Sequence, residues 1–178
     1  MAASKAPKTP ARRSSPHGTQ SWLAVVRAYN LCDAVMTARL AALGVRVAEH
    51  EVLANLATAP GITQQSLAAR CFVAKSGVSM LLTQMEARGW VRREADAADA
   101  RVKRLQLTPA GQALAAQTLQ VQSQVVAAMV AGASEAELEL VTAVMQRVSA
   151  QLEVLRDAPP VTPASAPRSH ARPPARRG

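Results

Sequence analysis

Aromatic residues are almost missing from this chain of 178 residues: two Trp, one Tyr and one Phe, 2% of the total. Hydrophobic residues still make up 49%. A core must therefore be filled by Ala, Leu, Val and Met, a composition that favours helices and leaves few strands. Cysteine is as scarce: Cys32 and Cys71 make no disulfide framework and match no metal-ligand spacing. The three histidines (His17, His50 and His170) are scattered and form no metal motif. No nucleophile–base–orienter set or phosphate-cradling loop is visible, so the chain does not read as an enzyme and no cofactor is expected. No hydrophobic run approaches a membrane span. The N-terminus is basic but lacks an apolar segment behind Arg12-Arg13, so it does not read as an export signal and a cytoplasmic protein is expected.

Positive charge is what the chain has in excess: +9, with a pI near 11.0. Its distribution matters more than its total. Residues 1–18 and 158–178 each carry four bases and no acid, and both are rich in Pro, so they read as disordered tails. Residues 19–62 are balanced, with three of each sign, and residues 109–157 hold five acids against two bases. The stretch 63–108 instead holds eight bases against four acids. An anionic partner would meet the folded part there.

The chain between the tails reads as follows. Trp22, Val25, Val26, Tyr29, Cys32, Met36, Leu40 and Leu43 recur at spacings of three and four. They predict a long first helix from Ser21 that stops at Gly44. A second helix is expected over Ala48 to Ala57, ended by Pro60-Gly61. Thr63 fits the N-cap of a short third helix from Gln64 to Arg70. Phe72-Val73-Ala74 would form a tight turn into a fourth helix, from Lys75 or Ser76 to near Gly89. Its face Val78, Leu81, Leu82 and Met85 is apolar, which leaves Ser79, Met80, Thr83 and Gln84 on the other side. Strands are expected from Trp90 to Arg93 and from Val102 to Leu107, joined by an Asp- and Ala-rich tip. Thr108-Pro109 starts a fifth helix, which runs to Gly132. A capping box over Ser134 to Glu137 opens a sixth. Along it Leu138, Val141, Met145, Val148, Leu152 and Leu155 alternate spacings of three and four like a coiled-coil seam, which calls for a partner helix before Pro159-Pro160 ends it.

A helix-turn-helix followed by a hairpin is a winged helix. The fold class expected is mainly α: a winged helix-turn-helix over 62–108 with a two-stranded wing, inside a domain spanning 19–157. The helices of 19–44 and 109–157 flank the winged helix as dimerisation elements.

One set of motifs runs through the winged helix: Leu67-Ala-Ala, Lys75-Ser76-Gly77-Val78-Ser79, Met85-Glu86-Ala87-Arg88-Gly89-Trp90-Val91, Asp96-x-x-Asp99-x-Arg101 and Leu107-Thr108-x-x-Gly111. With these motifs, residues 20–157 resemble the MarR family of bacterial regulators. Each piece is weak alone; the combination is specific. The resemblance implies a homodimer with two winged helices on double-stranded DNA, most simply a repressor at a pseudo-palindromic operator. The fourth helix would lie in the major groove, with Lys75, Ser76, Gly77, Ser79, Met80, Thr83 and Gln84 toward DNA. Arg101 matches the family arginine that enters the minor groove, and Asp99 the aspartate that orients it. Arg92, Arg93, Lys103 and Arg104 would add backbone contacts. Thr63, Gln64 and Gln65 present N–H groups that suit a phosphate, although capping explains Thr63 equally well. The sequence departs from the family at Met85, where Leu is usual, at Met80 and Gln84, near which Arg is common, and at Ala100, which replaces an Arg.

Many relatives respond to small aromatic acids or phenols, or to oxidation of a cysteine. Tyr29, Arg46 and His50 are the polar candidates for an effector contact at the junction of the dimer helices and the winged helix. Cys32 is the candidate for oxidation, with Cys71 behind it, although a buried thiol is inert unless a cation lowers its pKa. Two rival readings stay open: a winged-helix module for protein–protein contacts, and a cysteine-based redox regulator.

Overall fold

The computed structural model describes residues 15–71, 75–96, 99 and 101–159, and the side chains of Lys75 and Ser76 lie outside that description. The tails 1–14 and 160–178, the expected turn Phe72-Val73-Ala74 and Ala100 also fall outside it. The elements are α1 (Pro16–Ala41), α2 (Val47–Thr58), α3 (Gln64–Arg70), α4 (Lys75–Ala87), β1 (Val91–Ala95), β2 (Lys103–Leu107), α5 (Pro109–Met129) and α6 (Glu135–Asp157). This is a mainly helical winged helix, as the pattern predicts. The chain divides after Ala131 into two compact units.

Local chemistry sets the element ends. α1 begins five residues before Ser21, inside the stretch read as a tail. Ser15 accepts a hydrogen bond from the Gly18 N–H at 3.0 Å, and Pro16 sits in the first turn, where its missing N–H costs nothing. Thr63 caps α3, accepting from the Ser66 N–H at 3.1 Å. α2 carries half of a capping box: Glu49 accepts from the Arg46 N–H at 2.8 Å, but an arginine side chain has no acceptor to offer in return.

The core of the first unit is aliphatic. Leu40 of α1, Val52, Leu53 and Leu56 of α2, Leu67 of α3, Val78, Leu82 and Met85 of α4, and Leu105 of β2 are buried together. Met85 fills a fully buried position without displacing its neighbours from the core. β1 and β2 pair antiparallel with Val91 opposite Leu107 and Arg93 opposite Leu105. The segment before α3 adds to the open edge of β2, through Gly61 N–H to Leu105 O at 2.9 Å and Leu105 N–H to Ile62 O at 3.0 Å. The wing is thereby fastened to the start of the helix-turn-helix.

The turn from β2 into α5 explains one motif. Thr108 caps α5 by accepting from the Gly111 N–H at 3.0 Å, and its hydroxyl donates to Gly89 O. A Cβ on Gly111 would stand 1.9 Å from the Trp90 carbonyl oxygen, so only glycine lets the helix start pass against the β1 entrance.

In the second unit, Ser134 and Glu137 form the expected capping box, with the Ser134 N–H donating to Glu137 Oε2 at 2.8 Å. α6 has no buried residue; Leu138, Val141, Val148, Leu152 and Leu155 of its seam are exposed. On α1, the half before Met36 likewise exposes Trp22, Leu23, Val25, Tyr29, Leu31 and Val35.

Candidate nucleic-acid interface

α4 is amphipathic by spacing, and its two faces have separated as that spacing requires. Val78, Leu81, Leu82 and Met85 are buried, while Ser79, Met80, Thr83 and Gln84 are exposed and Gly77 is half-buried. The Thr83 hydroxyl donates to the Ser79 carbonyl at 3.0 Å and accepts from Arg93 at 3.5 Å, so it is partly committed within the protein. The exposed row is neutral and offers hydroxyls, a thioether and one amide.

The cations of the wing divide into two groups. Arg101 leaves its side chain 92% exposed, and Asp99 holds it from below: one carboxylate oxygen accepts from the Arg101 backbone N–H at 3.0 Å and from its Nε at 3.2 Å. These two bonds, the backbone one first, hold the Asp99 carboxyl below its usual range. Lys103 and Arg92 are exposed as well, with Arg92 pairing to Glu94 at 2.9 Å along the strand. Arg93 is half-buried and Arg104 remains 48% exposed, and both reach partners in the protein. Arg93 pairs with Glu86 of α4, and Arg104 pairs with Asp96 and donates to Gly61 O at 2.9 Å. Of the five basic wing residues, these two tie the wing to the helix-turn-helix, and their charge is largely compensated.

Thr63 is occupied as the α3 cap and also lies 3.0 Å from the Ser66 hydroxyl; Gln64 beside it is half-buried. Lys75 and Ser76 open α4, where their side chains lie outside the described residues.

The three effector candidates are in different surroundings. Tyr29 is exposed on α1. His50 is 4% exposed; burial pushes its pKa down, a bond with Gln122 works the other way, and Nδ1 has no partner among the described residues. Arg46 is bound into an ion cluster on Glu49. Cys32 is half-buried on α1, and Cys71 is buried, its thiol pushed up by burial and then by the charge of Glu51.

That Glu49 cluster is what sequence reasoning missed. Glu49 is 1% exposed, yet two arginines meet its Oε1: Arg46 at 2.8 Å and Arg88 at 3.2 Å. Arg88 is further held by donating to Gly44 O at 2.9 Å and by lying 3.6 Å over the Trp90 ring. Burial alone would raise the Glu49 carboxyl, but the bonds from Arg46 and the charges of both arginines hold it low. Only the glutamate at the third position of a helix was a usable signal, and it points to the cap, not to Arg88 or α4. Among the described residues, no group of His, Cys, Asp and Glu could hold a metal ion, and no helix is long and apolar enough to cross a membrane.

Comparison with known proteins places this geometry. A family model described as MarR family matches residues 43–102. The transcriptional regulator HosA of Escherichia coli is 31% identical over 100 residues, covering 56% of this chain and 74% of the relative. Among solved structures, a MarR-family transcriptional regulator from Silicibacter pomeroyi superposes with a TM-score of 0.65 at 27% identity, over 76% of this chain and 90% of that one. BpsR of Bordetella bronchiseptica, whose DNA binding is regulated by 6-hydroxynicotinic acid, superposes with a TM-score of 0.64 at 21% identity, over 73% of this chain and 98% of its own.

Proposed function

Because the chain belongs to the MarR family of DNA-binding transcriptional regulators, we propose that it is a homodimeric repressor that holds a pseudo-palindromic operator through two wing arginines and two α4 helices. Members of this family are regulators of transcription and not enzymes. The observation that carries the reading is the Asp99–Arg101 pair. It leaves one guanidinium almost wholly in solvent, while the neighbouring Arg93 is tied to Glu86 and the half-exposed Arg104 to Asp96. An outward cation paired to Asp99 beside a neutral helix suits a division of labour: the wing anchors in a narrow minor groove, and α4 reads the major groove. Arg92 and Lys103 supply phosphate contacts. Ser79, Met80, Thr83 and Gln84 face base edges, with Met80 able to lie against thymine methyl groups. The half-sites are then about one helical turn apart.

The test is binding to a selected duplex as a function of salt. Arg101→Ala weakens binding roughly tenfold or more and, with two copies per dimer, lowers the slope of log affinity against log salt by about two. Unchanged affinity and sequence preference would sink the wing reading and favour a protein-contact module.

For the effector we propose a small aromatic or phenolic acid, with His50 as the best placed of the three candidates because its Nδ1 is buried without a partner among the described residues. BpsR supports the ligand class. The acid must bind one spacing of the recognition helices more tightly than the other to release DNA. Titrating 6-hydroxynicotinic acid and simple hydroxybenzoic acids into the protein–DNA complex should displace the duplex, and His50→Ala should abolish that displacement while leaving binding without the acid intact. The cysteine-based alternative rests on Cys32, which is half-buried on α1; Cys71 is the poorer thiol, since it is buried and burial raises it.

A further inference from the structure

Arg46 reaches from the start of α2 to the exposed face of α4. Its NH2 group donates to Gln84 Oε1 at 2.7 Å, and the same nitrogen stands 2.8 Å from Glu49 Oε1. The guanidinium is not free to wander. Glu49 is buried, its other oxygen accepts the Arg46 backbone N–H at 2.8 Å, and Arg88, just past the end of α4, closes on the shared oxygen at 3.2 Å. Gln84 therefore stands against a charged donor that is anchored to buried Glu49 through the same nitrogen.

This contact decides which end of the amide faces outward. A guanidinium has only donors, so it can be met only by the amide oxygen, and the amide orientation is forced. The NH2 group of Gln84 is left on the open side. A glutamine with both ends free pairs bidentately with adenine, giving a hydrogen to N7 and taking one from N6. With its oxygen turned to Arg46, Gln84 presents its NH2 donors to the open side. Guanine offers two adjacent acceptors in the major groove, N7 and O6, whereas adenine sets a donor beside N7.

We propose that Arg46 is a positioning residue for sequence specificity, holding Gln84 with its NH2 donors outward to read guanine in the major groove. The proposal rests on α4 being the recognition helix. It also explains how a helix without arginine in its exposed row can still discriminate bases, through an arginine that stays behind the reading residue.

The experiment is selection of bound duplexes from a random pool by the full chain, with affinities then measured for guanine and adenine at the Gln84-dependent position. Gln84→Leu identifies that position by losing preference there alone. The wild type should favour guanine over adenine at least about fivefold. Arg46→Ala, which frees the amide oxygen, should bring this ratio close to one or reverse it while preference elsewhere in the site is kept. Arg46→Lys, which keeps a donor, should retain guanine. Because Arg46→Ala also removes a partner of buried Glu49, Gln84→Glu is measured beside it. That variant keeps the contact with Arg46 but replaces the donors by an acceptor, and it should move the preference to cytosine, whose N4 donates. Guanine retained by both Arg46→Ala and Gln84→Glu overturns the proposal, as does a Gln84→Leu variant with an unchanged site. If the wild type selects no duplex at all, the DNA-binding reading has failed, and this proposal with it.

Discussion

At the scale of single residues, the arginines are the instructive case. Eight bases were visible between residues 63 and 108; the Asp99-x-Arg101 pattern marked Arg101, but nothing in the spacing showed that Arg104 is tied to Asp96 and Gly61. Gly61 lies 43 positions from Arg104, on the segment that the fold brings to the edge of β2. Glu49 is the same lesson in reverse, since an isolated glutamate near a helix start gives no hint of two guanidiniums on a buried oxygen. Its carboxyl is depressed, so the stabilisation it supplies is complete above the ordinary value of 4.5 and fades as pH falls from there through the lowered folded value. Glu49→Gln should cost about 1–2 kcal/mol at neutral pH, reduced from a fully buried pair because both arginines are partly in solvent. Urea melts of the two proteins should converge as pH drops below 4.5. A gap that is constant across this window would show that the charge of Glu49 is not what stabilises the corner.

At the scale of elements, periodicity and caps carried most of the information. The apolar faces of α2, α4 and β2 are where their spacing puts them, because a fixed helical or strand period leaves only one face to bury. Thr63, Thr108 and Ser134 cap the helices they precede in sequence. The start of α1 was harder to see, since Ser15-Pro16 is a good helix opening placed in a Pro-rich context that reads as tail. The Leu107-Thr108-x-x-Gly111 motif was legible as a pattern, but its reason lies in the carbonyl of Trp90, 21 residues upstream of Gly111 by number. Gly111→Ala should destabilise the chain by about 1–3 kcal/mol in thermal or chemical melts, because the new methyl meets a backbone oxygen that cannot rotate away. An unchanged midpoint would mean the α5 start can shift freely.

At the scale of the whole molecule, the first half of α1 and the seam of α6 leave apolar residues in solvent, and large exposed apolar faces mark association surfaces. We propose that these are the faces the homodimer covers. Leu152→Glu, on the α6 seam, should convert a micromolar dimer into a monomer in sedimentation, with operator binding lost in parallel because two half-sites are no longer linked. A wild-type chain that sediments as a monomer would remove the dimer from the proposal. What the sequence determined by itself was local: helix and strand periods, cap residues, the basic bias of the winged helix and the combined motifs of the family. What only the tertiary structure decided was which charges face outward, that His50 is buried, and that Arg46 meets Gln84 across 38 positions. Periodicity acts within a few residues and can be read along the chain. Pairing of long, flexible charged side chains depends on which surfaces the fold brings within 3 Å, and no spacing in the sequence encodes that distance.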